Sequence, residues 1–168
     1  LALARGWSGR EHCGAMPIRG HSSVQGGAEM GCYSTALPGG KPITHANADA
    51  LAQLYGFPIP RWIGDTTPEM VEAAARGELD YFHLLGGNLL RTLPEPLRVR
   101  DALARIPVRV HQDIVLTDQM FIPPAGEVWL LPAKTRYEQD DGGVETSTER
   151  RVMFSPEIPR QVGEARAE

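Results

Sequence analysis

Three short apolar runs set the frame for this chain. Tyr81-Phe82-His83-Leu84-Leu85 stops at Gly86-Gly87-Asn88, and Val128 to Leu131 stops at Pro132-Ala133-Lys134-Thr135. Between them, Ile106 to Ile114 ("IPVRVHQDI") stops around Gln112-Asp113. Runs of this length, bounded by glycine, proline and polar residues, read as strands. The first two are separated by Pro94 to Arg105, where Val99, Leu103 and Ile106 recur at helical spacing. Strand, helix, strand in that order needs a crossover, and a crossover makes the strands parallel. The expected fold is therefore α/β, with a three-layer, mostly parallel, Rossmann-like sheet.

The flanks are less regular. Residues 45–55 read as helix with Leu51 and Leu54 on one face. Thr67-Pro68-Glu69 opens another: a threonine cap, proline at the first helical position, then an acid against the helix dipole. Met70, Val71, Ala74 and Leu79 supply its apolar face, and Gly77 weakens its end. The stretch Arg19 to Gly31, "RGHSSVQGGAEMG", holds four glycines and no apolar period, so it is expected to be mostly irregular, with a short helix near Ala28–Ser34. Leu1-Ala2-Leu3-Ala4 reads as the middle of a helix cut open, and residues 163–168 stop as abruptly. The chain is thus expected to be an internal piece of a longer protein, and its sheet to be incomplete on the N-terminal side. Residues 1–43 would be helix tail and glycine-rich loop, 44–135 a β-α-β core, and 136–168 a loop leading out of the domain.

Composition narrows the function classes. A chain of 168 residues suits one domain. Its net charge of −4 gives no pull toward nucleic acid or an anionic membrane, and no apolar run approaches the ~20 residues a membrane helix needs. Cys13 and Cys32 are far apart and outside any C-x-x-C, so they read as small buried residues in a reducing, cytoplasmic setting.

The ends of the three strand runs carry the chemistry. In an open parallel sheet, ligands bind outside the carboxyl ends of the strands. Glycines there let backbone approach a phosphate or sugar closely. A carboxylate at Asp113 can accept from ribose hydroxyls or from the N1–H and N2–H₂ edge of a guanine. The same residues also suit bland roles: a glycine turn, a helix cap, a solvated strand-end acid. Residue chemistry alone reaches a nucleotide-like ligand at a strand edge. It leaves open a nicotinamide-dinucleotide domain, though G-x-G-x-x-G is absent, and a non-catalytic nucleotide-binding module.

Taken in order, "MPIRGHSSVQGGAEMG", "LLGGNLLRT", "VRVHQDIVLTD" and "LLPAKTRYEQDDGGVETSTERR" resemble the molybdopterin oxidoreductase superfamily, and within it the formate-dehydrogenase-like alpha subunits. Members read approximately G-x-N-N-V-Q-G-x-x-D-M-G, then a strand ending in glycine, a strand ending V-Q-D, and L-P followed by a glycine turn and N-T-E-R-R. The resemblance spans residues 12–159 and implies a cofactor, bis-molybdopterin guanine dinucleotide carrying molybdenum. It implies that Gln25 and Gly26 lie against the pterin dinucleotide. Gly86, Asn88 and Thr92 would line one guanine dinucleotide, Gln112 and Asp113 its nucleoside end, and Ala133 a tight contact with the same ligand.

The departures are specific. Ser22-Ser23 stand where relatives carry an asparagine pair, Asn88 where many carry aspartate, and Ser147 where they carry asparagine. The resemblance puts the molybdenum ligand in a preceding part of the chain, so no metal ligand and no catalytic residue is assigned here. An iron–sulfur cluster, if present, would lie outside these residues, and the piece alone would be inactive. The implied partners are a small-molecule substrate, the rest of its own chain and a redox partner, without nucleic acid or membrane segment. His21 falls in the cofactor loop, His83 and His111 read as core or sheet-face residues, and His12 and His45 as surface residues. Lys134, Arg136 and Glu138 fit either a solvated loop or a cation near a pyrophosphate. Glu149-Arg150-Arg151 fits an ion-pair turn.

Overall fold

A computed structural model describes residues 1–14, 24–146, 151–159 and 162–167, without the side chains of Gln25, Glu29 and Thr146. The centre is a three-stranded parallel sheet in the order β3 (Tyr81–Leu85), β4 (Val108–Asp113), β5 (Glu127–Pro132). Tyr81 lies opposite Val108, and Val108 opposite Glu127, so the strands start level. Two short antiparallel pairs flank it: β1 (Ala36–Leu37) with β2 (Lys41–Pro42), and β6 (Gly143–Thr146) with β7 (Val152–Ser155). Helix α1 is Val24–Glu29 and α2 is His45–Tyr55.

Two amphipathic helices build the core. Helix α3 (Thr67–Arg76) starts one residue earlier than the proline suggests, with Thr66 at the cap. The Glu69 carboxylate accepts from the Thr66 amide at 2.7 Å and from its hydroxyl at 2.6 Å. Those bonds hold the Glu69 carboxyl below the usual range. Helix α5 (Pro96–Arg105) begins after Pro94-Glu95, because each proline disfavours helical backbone in the residue before it. Between β3 and α5 sits one extra turn, α4 (Leu89–Thr92).

Val71 and Ala74 of α3 meet Val99, Ala102 and Leu103 of α5, with Ile106 and Ile122 closing the cluster. Each fully buried leucine or isoleucine here contributes about 1.5–3 kcal/mol. Phe82 packs against the same cluster, which fixes the face of the sheet that the helices cover. The register puts Phe82, Arg109 and Val128 in one row and Leu84, His111 and Leu130 in the next, all on that covered face. The other face carries Tyr81, His83, Leu85 and Trp129, and these stay exposed among the described residues. Of the three layers expected, the sheet and one helical layer are laid down here.

Several local expectations are revised. Residues 1–10 form hydrogen-bonded turns instead of helix, with Leu1 and Leu3 exposed; Gly6 and Gly9 take left-handed backbone, which ends a helix. The helix expected near Ala28–Ser34 lies at Val24–Glu29, inside the stretch expected to be irregular. Residues 136–168 contain the β6–β7 hairpin, and Arg166 makes a parallel bridge to Ala133. Cys13 and Cys32 are exposed, not buried, because both fall in segments with no apolar period to pack them.

Candidate functional site at the strand ends

The carboxyl ends of β3, β4 and β5 lie side by side, and the backbone ties them in sequence. The Gly86 amide donates to the Gln112 carbonyl at 2.8 Å, and the Ala133 amide donates to the Asp113 carbonyl at 3.0 Å. Gly86, Gln112, Asp113 and Ala133 are therefore one continuous edge. Gly86 and Gly87 both take left-handed backbone, with φ of 66° and 71°, which only glycine adopts freely. A Cβ on either would meet nothing within 4 Å, so the surface beside this turn is open.

The side chains on this edge are unequally free. Asp113 Oδ1 accepts from the amides of Ile114 at 2.7 Å and Val115 at 3.4 Å, which leaves Oδ2 available among the described residues. Gln112 and Asp113 are consecutive in a strand and so point to opposite faces of the sheet. Asn88 caps α4: its Oδ1 accepts from the Leu90 amide at 3.1 Å, and its Nδ2 donates to Asp118. Thr92 donates its hydroxyl to the Asn88 carbonyl at 3.0 Å. Asn88 and Thr92 thus work inside the turn. Ala133 is buried against the Arg166 segment, where the Arg166 amide donates to Pro132 and its carbonyl accepts from Lys134. A small residue fits there for reasons internal to the chain.

Gly26 lies in α1, which packs against the 3-10 turn Pro38–Gly40 and β6, a different part of the fold from the three strand ends. The Gln25 side chain, His21, Ser22, Ser23, Ser147 and Glu149-Arg150 lie outside the described residues. Lys134 pairs with Asp140 and Arg136 with Glu145, while Glu138 accepts from Thr135. That loop's charges are matched within the chain.

Behind the edge lies a polar group of which residue chemistry alone picked out one member, His111, as a core or sheet-face residue. Arg109, His111 and Gln119 are at 0, 1 and 1 % exposure, the buried polar residues among those described. Arg109 Nη1 donates to the Gln119 carbonyl at 3.3 Å, and Nη2 donates to the Ile122 carbonyl. Among the described residues, neither nitrogen of His111 has a hydrogen-bond partner. Burial first, and then the Arg109 charge, push its pKa down to about 4, with Asp113 pulling the other way. His111 and Asp113 line a recess of about 190 Å³ with Met120, Leu130 and Pro132.

No family model matches the chain. Similarity to individual proteins is extensive. A putative formate dehydrogenase of Bacillus subtilis, YrhE, is 32% identical over 99% of the chain, which covers 16% of that protein. Formate dehydrogenase H of Escherichia coli is 31% identical over 89% of the chain and 20% of its own length. The F420-dependent formate dehydrogenase subunit alpha of Methanocaldococcus jannaschii is 29% identical over 98% of the chain and 23% of its own length.

The chain belongs to the formate-dehydrogenase-like molybdopterin oxidoreductases.

It spans less than a quarter of the length of these relatives. At the strand-end edge the described residues bring an open glycine turn, a carboxylate oxygen and backbone together. Among the described residues no group of three or more histidine, cysteine or acidic side chains could hold a metal ion. No described helix is long and apolar enough to cross a membrane.

Proposed function

We propose that this chain is a cofactor-binding α/β portion of a longer molybdenum oxidoreductase. It would hold one molybdopterin guanine dinucleotide of a pair at the carboxyl edge of β3, β4 and β5. The observation that carries this is the edge itself: Gly86, Gln112-Asp113 and Ala133 are joined by backbone hydrogen bonds, and the Gly86-Gly87 turn faces open space. Family membership supplies the ligand class.

The residues fit such a group in part. Asp113 has one carboxylate oxygen committed to its own loop and one left over, enough for a single strong bond to a ribose hydroxyl or a guanine N–H. The Gly86-Gly87 turn can bring backbone close to sugar or phosphate. A recess of about 190 Å³ is smaller than the roughly 300–1,000 Å³ of a complete ligand pocket. Only the nucleoside end would be held here, with the remaining contacts coming from other parts of the protein. The bound metal would supply the redox chemistry, and this chain's residues would supply binding and orientation. Gln25 and Gly26 would add pterin contacts, and the substrate, formate or another small molecule, would meet a centre built elsewhere. Redox partner subunits are proposed on the same basis. Two exposed unpaired cysteines support a reducing, cytoplasmic location.

Asp113→Ala in the complete polypeptide tests the assignment. Molybdenum and pterin content should fall together, while turnover per bound molybdenum stays near the parent value. Full cofactor loading with lost turnover would move Asp113 into the chemistry and overturn the proposal.

A further inference from the structure

The connection between β4 and β5 carries a residue that the strand-end edge does not include. Gln119 sits in the 3-10 turn Asp118–Phe121, and its side-chain amide spans the turn after β3. Its Nε2 donates to the Gly87 carbonyl at 2.8 Å, and its Oε1 accepts from the Leu89 amide at 2.9 Å. A carboxamide can do both at once because it carries a donor and an acceptor at fixed spacing. Asp118 takes the flanks of the same turn, accepting from Asn88 and pairing with Arg91 at 2.7 Å. From below, the buried Arg109 guanidinium holds the Gln119 carbonyl. A continuous relay thus runs from Arg109 near the start of β4, through Gln119, to the glycine turn beside β3.

The turn needs such a brace. Gly86 and Gly87 have no side chains to pack, and neither would meet anything within 4 Å if it had one. Two adjacent glycines in left-handed backbone are held by outside contacts or not at all. Binding a ligand to an unbraced turn would include the entropy of ordering it.

The geometry points to Gln119 as a positioning residue that presets the Gly86–Asn88 turn for a ligand lying along the edge that includes Asp113. This rests on the dinucleotide reading above. Gln119 itself touches backbone, not ligand.

Two substitutions in the complete polypeptide test it. Gln119→Met keeps the volume and removes both hydrogen bonds. Gln119→Glu keeps the acceptor for Leu89. Amide hydrogen exchange at Leu89 is read against Leu84 and Val110, alongside molybdenum and pterin content and the urea midpoint. With Gln119→Met, Leu89 should exchange about tenfold faster relative to the two strand amides. Cofactor content should fall several-fold at an equal folded fraction, and Gln119→Glu should restore protection and part of the loading. Unchanged loading in Gln119→Met would overturn the inference, as would an exchange increase shared equally by Leu84 and Val110. If Asp113→Ala lowers loading and Gln119→Met does not, the positioning role alone fails. If neither does, the dinucleotide reading fails, while Leu89 exchange still decides whether Gln119 sets the turn.

Discussion

Arg109 and Ile122 are joined across the covered face of the sheet, the guanidinium of one donating to the carbonyl of the other. No carboxylate pairs with this buried cation among the described residues; it is held by main-chain oxygens. Burial pulls its pKa below the usual arginine value, yet a guanidinium stays charged at neutral pH. Its role is to fasten the β4–β5 connection to the sheet. Arg109→Met should leave two buried carbonyls short of a donor and destabilise the fold by about 1–3 kcal/mol. The check is the urea midpoint; an unchanged midpoint would mean that the connection holds itself.

His111 makes stability depend on pH. Its folded pKa is about 4, below the ordinary value of 6.5, so between those two values the unfolded chain binds more protons than the folded one. Stability from this group is complete above about pH 6.5 and is lost as pH falls toward 4, by up to about 3 kcal/mol. His111→Val should flatten that part of the pH profile. Denaturation midpoints at pH 4.5 and 7.5 compare the two, and an identical pH slope in the variant would clear His111 of the effect.

Close approach at Gly126 gives a stricter demand than the open glycine turn. A Cβ there would lie 2.6 Å from the Pro107 carbonyl oxygen, which also accepts from the Glu127 amide at 2.7 Å. Gly126→Ala must push β5 away from β4 and should cost about 1–3 kcal/mol. Thermal unfolding of the variant measures it, and a shift under 1 °C would contradict the contact.

The α3–α5 core should respond in the ordinary way. Leu103 is fully buried and Leu97 largely exposed, though both lie on the same helix. Leu103→Ala should destabilise by about 2–5 kcal/mol. Leu97→Ala should stay within about 0.5 kcal/mol. Equal effects would mean that α5 packs by another face.

Tyr81, Leu85 and Trp129 leave the uncovered sheet face apolar, with Trp129 at 56 % exposure. Parallel sheets are normally covered on both faces. The 168-residue chain on its own should therefore self-associate, and Leu85→Lys with Trp129→Lys should raise its monomer fraction. Sedimentation velocity decides; a monomeric parent chain at tens of micromolar would refute it.

What could be read from residues alone follows which signals are local. The three strands of the parallel sheet were legible to within two residues, because apolar runs ending in glycine or proline have few alternatives, whereas the short β1–β2 and β6–β7 pairs were not. So was the start of α3, since Thr, Pro and Glu act within one turn. Parallel pairing followed from the intervening helix, and with it the meeting of Gly86, Gln112, Asp113 and Ala133 at one edge. The relay behind the edge was not legible. In Val108–Asp113 the alternation of apolar and polar residues suggests that Arg109 points to water, whereas the register turns it toward Ile122. Gln119 lies in a short segment with no period at all, and its partners are backbone atoms some thirty residues away. Nor could the cysteines' exposure be inferred, because burial depends on neighbours that a loop does not announce.

The order β3, β4, β5 in space is also their order along the chain. During synthesis, β4 and then β5 each leave the ribosome when a neighbour in the sheet has already been made. The sheet can grow by addition at one side, with α5 closing the first crossover before β5 exists. Assembly of this kind needs no strand to be inserted between two others, and it keeps the interval during which an unpaired β4 edge is exposed as short as translation permits.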